Sequence, residues 1–110
     1  MWVFTNDGFY SIVRHRTLPN MLIVRARFKG DIEKLIPDAE VIELNESDAD
    51  YRFRAFVDDS VLAKVFFDKI EKIDYPNFKN SISIKGLHAV AIQVWSILKK
   101  AQILQRPNHS

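Results

Sequence analysis

Two segments of this chain alternate arginine with apolar residues, and this pattern limits the available folds more than any other feature. The segments are MLIVRARF at 21–28 and YRFRAFV at 51–57. Successive side chains of a β-strand point to opposite faces of a sheet, so a period of two is typical of strands. The sequence therefore predicts two strands that each carry apolar residues on one face and arginines on the other.

If both strands belong to one antiparallel sheet, their apolar faces share one core and their arginines gather on the opposite face. The arginines predicted on that face are Arg25, Arg27, Arg52 and Arg54. The side chains predicted to line the core are Leu22, Val24, Ala26, Tyr51, Phe53 and Ala55. Arginine suits planar, bidentate contacts with phosphate or carboxylate, so this face is the first candidate for a binding site.

The remaining elements follow from turn signals and periodicity. Further strands are predicted at 2–4, 9–16 and 41–44, and helices at 31–36, about 58–73 and about 86–102. We expect Asp31 to cap the first helix, and Ile42 and Leu44 to face the core while Glu43 faces away. The last helix has an apolar stripe that we interpret as core, formed by Leu87, Val90, Ala91, Val94, Trp95, Leu98 and Ala101. The stretch 77–83 is predicted as a loop or short turn.

The order β-β-α-β-β-α-α predicts an α+β two-layer sandwich. We expect an antiparallel sheet of about four strands with two to three helices on one face. A length of 110 residues with 47% hydrophobic and 27% charged residues is typical of a single globular domain. We therefore predict one α+β domain over 1–104, followed by a flexible tail over 105–110.

Composition excludes several classes of function. The chain has no cysteine, which excludes disulfides and thiol chemistry, and no apolar run approaches the roughly 18 residues of a membrane span. Its three histidines lack metal-ligand spacing, and no glycine-rich phosphate loop is present. A net charge of +2 is too small to predict nucleic-acid binding by itself. We expect a cytoplasmic protein without metal, cofactor or membrane partner, and non-enzymatic rather than enzymatic.

Three stretches together resemble a known group of sequences. They are MWVFTNDGFYSIV at the start, the paired strands LIVRARF and DYRFRAFV, and KIDYPNFKNS. They resemble a group of short uncharacterised bacterial and phage proteins that share an MW-F-T-DGF start, a DYR-R strand and a DY-NFK segment. The likeness covers residue 1 to about 100 and implies a compact intracellular protein, with no activity known for the group. The motif residues are Trp2, Phe4, Gly8, Phe9, Arg52, Arg54, Asp74, Tyr75, Asn77, Phe78 and Lys79.

Three interpretations of the arginine-bearing face stay open. Acidic residues (Glu40, Glu43 or the loop 46–50) can neutralise it, a protein partner or a second copy can cover it, or single-stranded nucleic acid can bind it. Phe56 is expected on this face, and Tyr10 and Arg14 join it in one of the two phases of the 9–16 strand. Tyr10 or Phe56 would then stack on bases. The sequence favours a protein partner or self-association over nucleic acid.

A second candidate site is the segment that follows the 58–73 helix. It brings a carboxylate, a phenol, an amide and an amine into six residues, namely Asp74, Tyr75, Asn77 and Lys79. A small enzyme could use these groups, because functional loops often lie at helix exits. The same residue types also suit a turn around Pro76, and we favour that interpretation.

Overall fold

The structure is a computed structural model that describes residues 1–45 and 50–105. The chain divides into two compact units, Met1–Asp74 and a second one that begins at Tyr75. The first unit contains β1 (Trp2–Thr5), β2 (Gly8–Arg14), β3 (Met21–Ala26), α1 (Asp31–Leu35), β4 (Ile42–Glu43), β5 (Phe53–Asp58) and α2 (Asp59–Glu71). The second contains α3 (Phe78–Ser81) and α4 (Lys85–Leu104). A single domain over 1–104 stays a prediction, and of the predicted tail residues 106–110 lie outside the described residues.

The strands form one antiparallel sheet in the order β1-β2-β3-β5-β4. The predicted α+β class is therefore confirmed, with five strands in place of about four. One face of the sheet packs on the core together with residues from α1 and α2. That core cluster consists of Tyr10, Ile12, Val24, Ala26, Ile32, Leu35, Phe53, Ala55, Val57 and Leu62. Burial of these apolar side chains is the main source of stability for this unit.

Two glycines near this core are needed for different reasons, one for space and one for its backbone conformation. A Cβ on Gly8 would lie 2.6 Å from the hydroxyl oxygen of Tyr10, so no larger residue fits there without displacing that ring. Gly30 has a φ of 93°, in the left-handed region that favours glycine, and it is the N-cap of α1. The prediction that Asp31 caps α1 is wrong, because the left-handed residue before it ends the loop and Asp31 already lies in the first helical turn.

Three predicted orientations are also wrong. Ile42 pairs with Arg54 across β4 and β5, so it shares the face of that arginine and not the core. Tyr51 is buried as predicted, but it precedes β5 and its ring lies against the guanidiniums of Arg25 and Arg27. In the predicted core stripe of α4, Ala91 is buried but Leu98 is 63% exposed.

Candidate anion-binding site

The sheet face opposite the core carries a row of residues that crosses all five strands. The pairing register places Trp2 opposite Ser11, Ser11 opposite Arg25, Arg25 opposite Arg54 and Arg54 opposite Ile42. We call this side of the sheet the arginine face. Because the row runs through the middle strands, its two arginines are fixed by regular backbone pairing rather than by loops.

Arg25 and Arg54 lie directly opposite each other on β3 and β5, and we call them the central pair. Directly opposed residues have Cβ atoms about 4.5–5.5 Å apart, and like charges at this spacing repel each other. Within residues 1–45 and 50–105, no carboxylate forms an ion pair with either arginine. Both Nε atoms are buried without a hydrogen-bond partner, which costs roughly 1–3 kcal/mol for each group. The pair is therefore an unfavourable arrangement for the isolated sheet.

Arg25 is held in place by two neighbours. Its Nη2 donates a hydrogen bond of 2.7 Å to Ser11 Oγ, and its guanidinium carbon lies 4.9 Å from the centre of the Tyr51 ring. Ser11 is 1% exposed and Tyr51 is 5% exposed. A buried hydroxyl and a buried ring restrict the side-chain conformations of Arg25, so its orientation is set before any ligand arrives.

Arg27 and Arg52 are arranged differently, at the ends of the same strands. Arg27 Nη1 donates to the carboxylate of Asp50 at 2.7 Å and to its backbone carbonyl at 2.9 Å. The hydrogen bond to Asp50 is the main reason that the pKa of Arg27 lies above its ordinary value. Arg52 Nη2 lies 3.4 Å from Glu43 Oε1. Neutralisation by acidic residues therefore applies to these two arginines, while residues 46–49 of the acidic loop lie outside the described residues.

Two residues predicted for the arginine face lie elsewhere. Tyr10 is fully buried on the core face, and its hydroxyl donates a hydrogen bond of 2.7 Å to the carbonyl of Asp31. Burial also raises the pKa of Tyr10. Arg14 has the same strand phase and pairs with Asp59 at the start of α2, at 2.8 Å. The phase of β2 that would place Tyr10 on the arginine face is wrong, because hairpin pairing puts Phe9 and Ser11 there.

Aromatic residues lie at or beside the row that runs from Trp2 to Ile42, which we call the central row. Phe56 lies on the arginine face as predicted, is 49% exposed and has its ring centre 5.5 Å from that of His15. Trp2 lies at the β1 end of the row and is 74% exposed. Sequence reasoning missed Trp2 as a member of this surface. The turn signal at Asn6-Asp7 could have found it, because a two-residue hairpin turn fixes which residues face each other.

The second candidate segment divides between the two units. Asp74 ends the first unit, and the other three residues belong to the second. Asn77 caps α3, its side-chain oxygen accepting from the Asn80 amide at 3.0 Å. The Tyr75 ring centre lies 6.2 Å from that of Phe78, and Lys79 Nζ lies 5.2 Å from the centre of the Trp95 ring. These contacts fit the interpretation of a turn and a helix start.

Comparisons with protein-family models, with curated proteins and with solved structures give no match for this chain. The resemblance to short bacterial and phage proteins therefore stays a prediction. Across the described ranges, 1–45 and 50–105, no helix is both long enough and apolar enough to span a membrane. The same residues contain no cluster of three or more side chains of the types that hold a metal ion.

Proposed function

We propose that this protein is a non-enzymatic binding module that recognises an acidic group of a protein partner through Arg25 and Arg54. The observation that supports this is the direct opposition of two half-buried arginines with no carboxylate paired to either among the described residues. An anion from a partner would remove the repulsion between them and supply acceptors for their N–H groups. A cytoplasmic location is part of the same proposal.

The neighbours of the pair support a protein as the partner. Ile42 ends the central row on β4 and Phe56 lies beside it on β5, and both are about half exposed. Arginine and aromatic residues are enriched in protein interfaces, where they combine apolar contact area with directional hydrogen bonds. An acidic residue of the partner would contact the arginines, while apolar residues around it would cover Ile42 and Phe56.

Single-stranded nucleic acid is the second candidate ligand, and Trp2 is the observation that favours it. A 74% exposed indole at one end of the row and Phe56 near the other provide two rings on one sheet face with arginines between them. Base stacking on such rings combined with phosphate contacts is a common way of binding single strands.

The test measures fluorescence anisotropy with two labelled probes, a deca-glutamate peptide and a single-stranded deca-thymidine, at low and at moderate salt. We expect the peptide to bind, and the Arg25→Gln/Arg54→Gln variant to lose at least tenfold in affinity. The matched control is Arg27→Gln/Arg52→Gln, which removes the same charge from the same strands and should lose less than threefold.

Other outcomes overturn the proposal. Equal losses in both variants would mean that overall charge and not the central pair attracts the peptide. Binding of the oligonucleotide alone, abolished by Trp2→Ala and falling steeply with salt, would replace the protein partner by nucleic acid. If neither probe binds, carboxylate and nucleic-acid ligands for this face are ruled out.

A further inference from the structure

The acidic group itself can be specified from the donors and charges of the central pair. Both arginines are half-buried with buried Nε atoms, so an approaching ligand meets their terminal Nη atoms. Arg25 Nη2 already donates to Ser11 Oγ. Seven terminal N–H groups remain for a ligand, three on the Nη atoms of Arg25 and four on those of Arg54. The pair also carries two positive charges that no described carboxylate neutralises.

The donors and the two positive charges of the central pair match a phosphomonoester better than a carboxylate. A carboxylate offers two oxygens and one negative charge, whereas a phosphomonoester at neutral pH offers three acceptor oxygens and a charge close to −2. A nucleic-acid phosphodiester carries a single negative charge, so it leaves one of the two positive charges unmatched. Guanidinium groups bind phosphate through pairs of parallel hydrogen bonds, which lysine cannot reproduce.

We infer that Arg25 and Arg54 together bind one phosphomonoester group, presented by a phosphorylated side chain of the protein partner. This inference rests on the proposed function, because it specifies the acidic group that the partner supplies. Ser11 and Tyr51 act as positioning residues, since one accepts a hydrogen bond from the Arg25 guanidinium and the ring of the other lies against it. The arrangement is ready for binding, because the hydroxyl and the ring that orient it are buried.

The experiment compares two peptides that differ only at a central residue, phosphoserine in one and glutamate in the other, by isothermal titration calorimetry. We expect the phosphopeptide to bind at least tenfold more tightly at pH 7.5. The Arg25→Lys/Arg54→Lys variant keeps the charge but loses the planar donors, and should lose about tenfold for the phosphopeptide alone. Circular dichroism checks that this variant folds.

A pH series provides an independent readout. The second pKa of a phosphomonoester is about 6, so lowering the pH from 7.5 to 5.5 should weaken phosphopeptide binding about fourfold and leave glutamate-peptide binding unchanged. Because His15 lies beside Phe56, the series is run in a His15→Gln background. Among residues 1–45 and 50–105, the other charged or titratable groups on the strand ends beside the pair are Arg27, Asp50, Tyr51, Arg52 and Glu43.

The remaining outcomes distinguish failure of the phosphate inference from failure of the proposed function. Equal affinity for the two peptides would overturn the phosphate inference and leave the proposed function intact, because a carboxylate would then suffice. Binding of neither peptide would overturn both. Inorganic phosphate serves as a third probe. If it binds as tightly as the phosphopeptide, the ligand is a free phosphate and the inference of a phosphorylated partner is wrong.

Discussion

The two faces of the sheet are built from the same strands but carry different kinds of side chain. On the core face, Ile12, Val24 and Ala55 meet in register across β2, β3 and β5, and all three are buried. On the opposite face, the next residues along, Ser11, Arg25 and Arg54, form a row in which two like charges oppose each other. One face removes apolar surface from water, and the other holds Arg25 and Arg54 without a paired carboxylate among residues 1–45 and 50–105.

This difference indicates where stability and function reside. Burial on the core face contributes favourable free energy, whereas the opposed arginines and their unpaired Nε atoms make the other face costly. Arrangements that lower stability are concentrated at functional sites, where a ligand compensates for them. Substitutions on the core face should therefore lower stability, and substitutions of the central pair should affect binding instead.

The largest effect is expected on the core face from Ile12→Ala. Ile12 is 4% exposed, and its removal leaves a cavity between the sheet and the helices, so the free energy of unfolding should fall by about 3 kcal/mol. Urea denaturation followed by circular dichroism measures the change. Val13→Ala, one residue along on the other face, is the matched control and should cost much less. Equal losses would mean that both faces of β2 are packed alike.

Tyr10→Phe tests the hydrogen bond that the buried Tyr10 hydroxyl donates within this core. The substitution removes the hydrogen bond to the Asp31 carbonyl and should cost about 1 kcal/mol. Because burial raises the pKa of Tyr10, its folded form holds the proton more tightly than the unfolded chain does. The wild-type protein should therefore lose stability as the pH rises above about 10, the unfolded value. The free energy of unfolding of the Phe variant should fall less over that range. An equal fall in both proteins would contradict this prediction.

The core face could largely be predicted from the sequence. Alternation in 21–28 and 51–57 identified β3 and β5, and with them Val24, Ala26, Phe53 and Ala55 as core residues. This worked because strand alternation is a local property that the backbone imposes on any half-buried strand. Alternation left the phase of the 9–16 strand open and predicted the wrong phase for the 41–44 strand. Both carry apolar residues on both faces, so only pairing with neighbouring strands determines which side is buried.

The candidate site could be predicted only in part. Four arginines share the same local pattern, yet Arg27 and Arg52 pair with Asp50 and Glu43 while Arg25 and Arg54 oppose each other. The strand register that sets these pairings is a tertiary property, and no periodicity within one segment contains it. The contact of Tyr51 with Arg25 could not be predicted for a related reason, since Tyr51 lies just before β5 and does not follow the alternation of that strand.

Arg54→Leu should separate stability from binding on the arginine face. It removes one of two opposed charges and one unpaired buried Nε, and it places an apolar side chain beside Ile42 on β4. Without ligand, the free energy of unfolding should stay constant or rise by up to about 1 kcal/mol. Binding of the acidic peptide should fall at the same time. A clear loss of stability in denaturant titrations would mean that Arg54 is paired within the folded protein.

The smallest effect is expected where the arginines already have partners. Arg52→Gln removes an exposed contact to Glu43, and Arg27→Gln removes one to the exposed Asp50. Surface ion pairs contribute roughly 0–1 kcal/mol, so each variant should change the free energy of unfolding by less than about 0.5 kcal/mol. Raising the salt concentration should reduce this change in the free energy of unfolding further, because exposed charges are screened. If either variant instead weakens peptide binding as much as Arg54→Leu does, the ligand site extends along the strands to their ends. The partnered arginines would then exchange their internal carboxylates for those of the ligand.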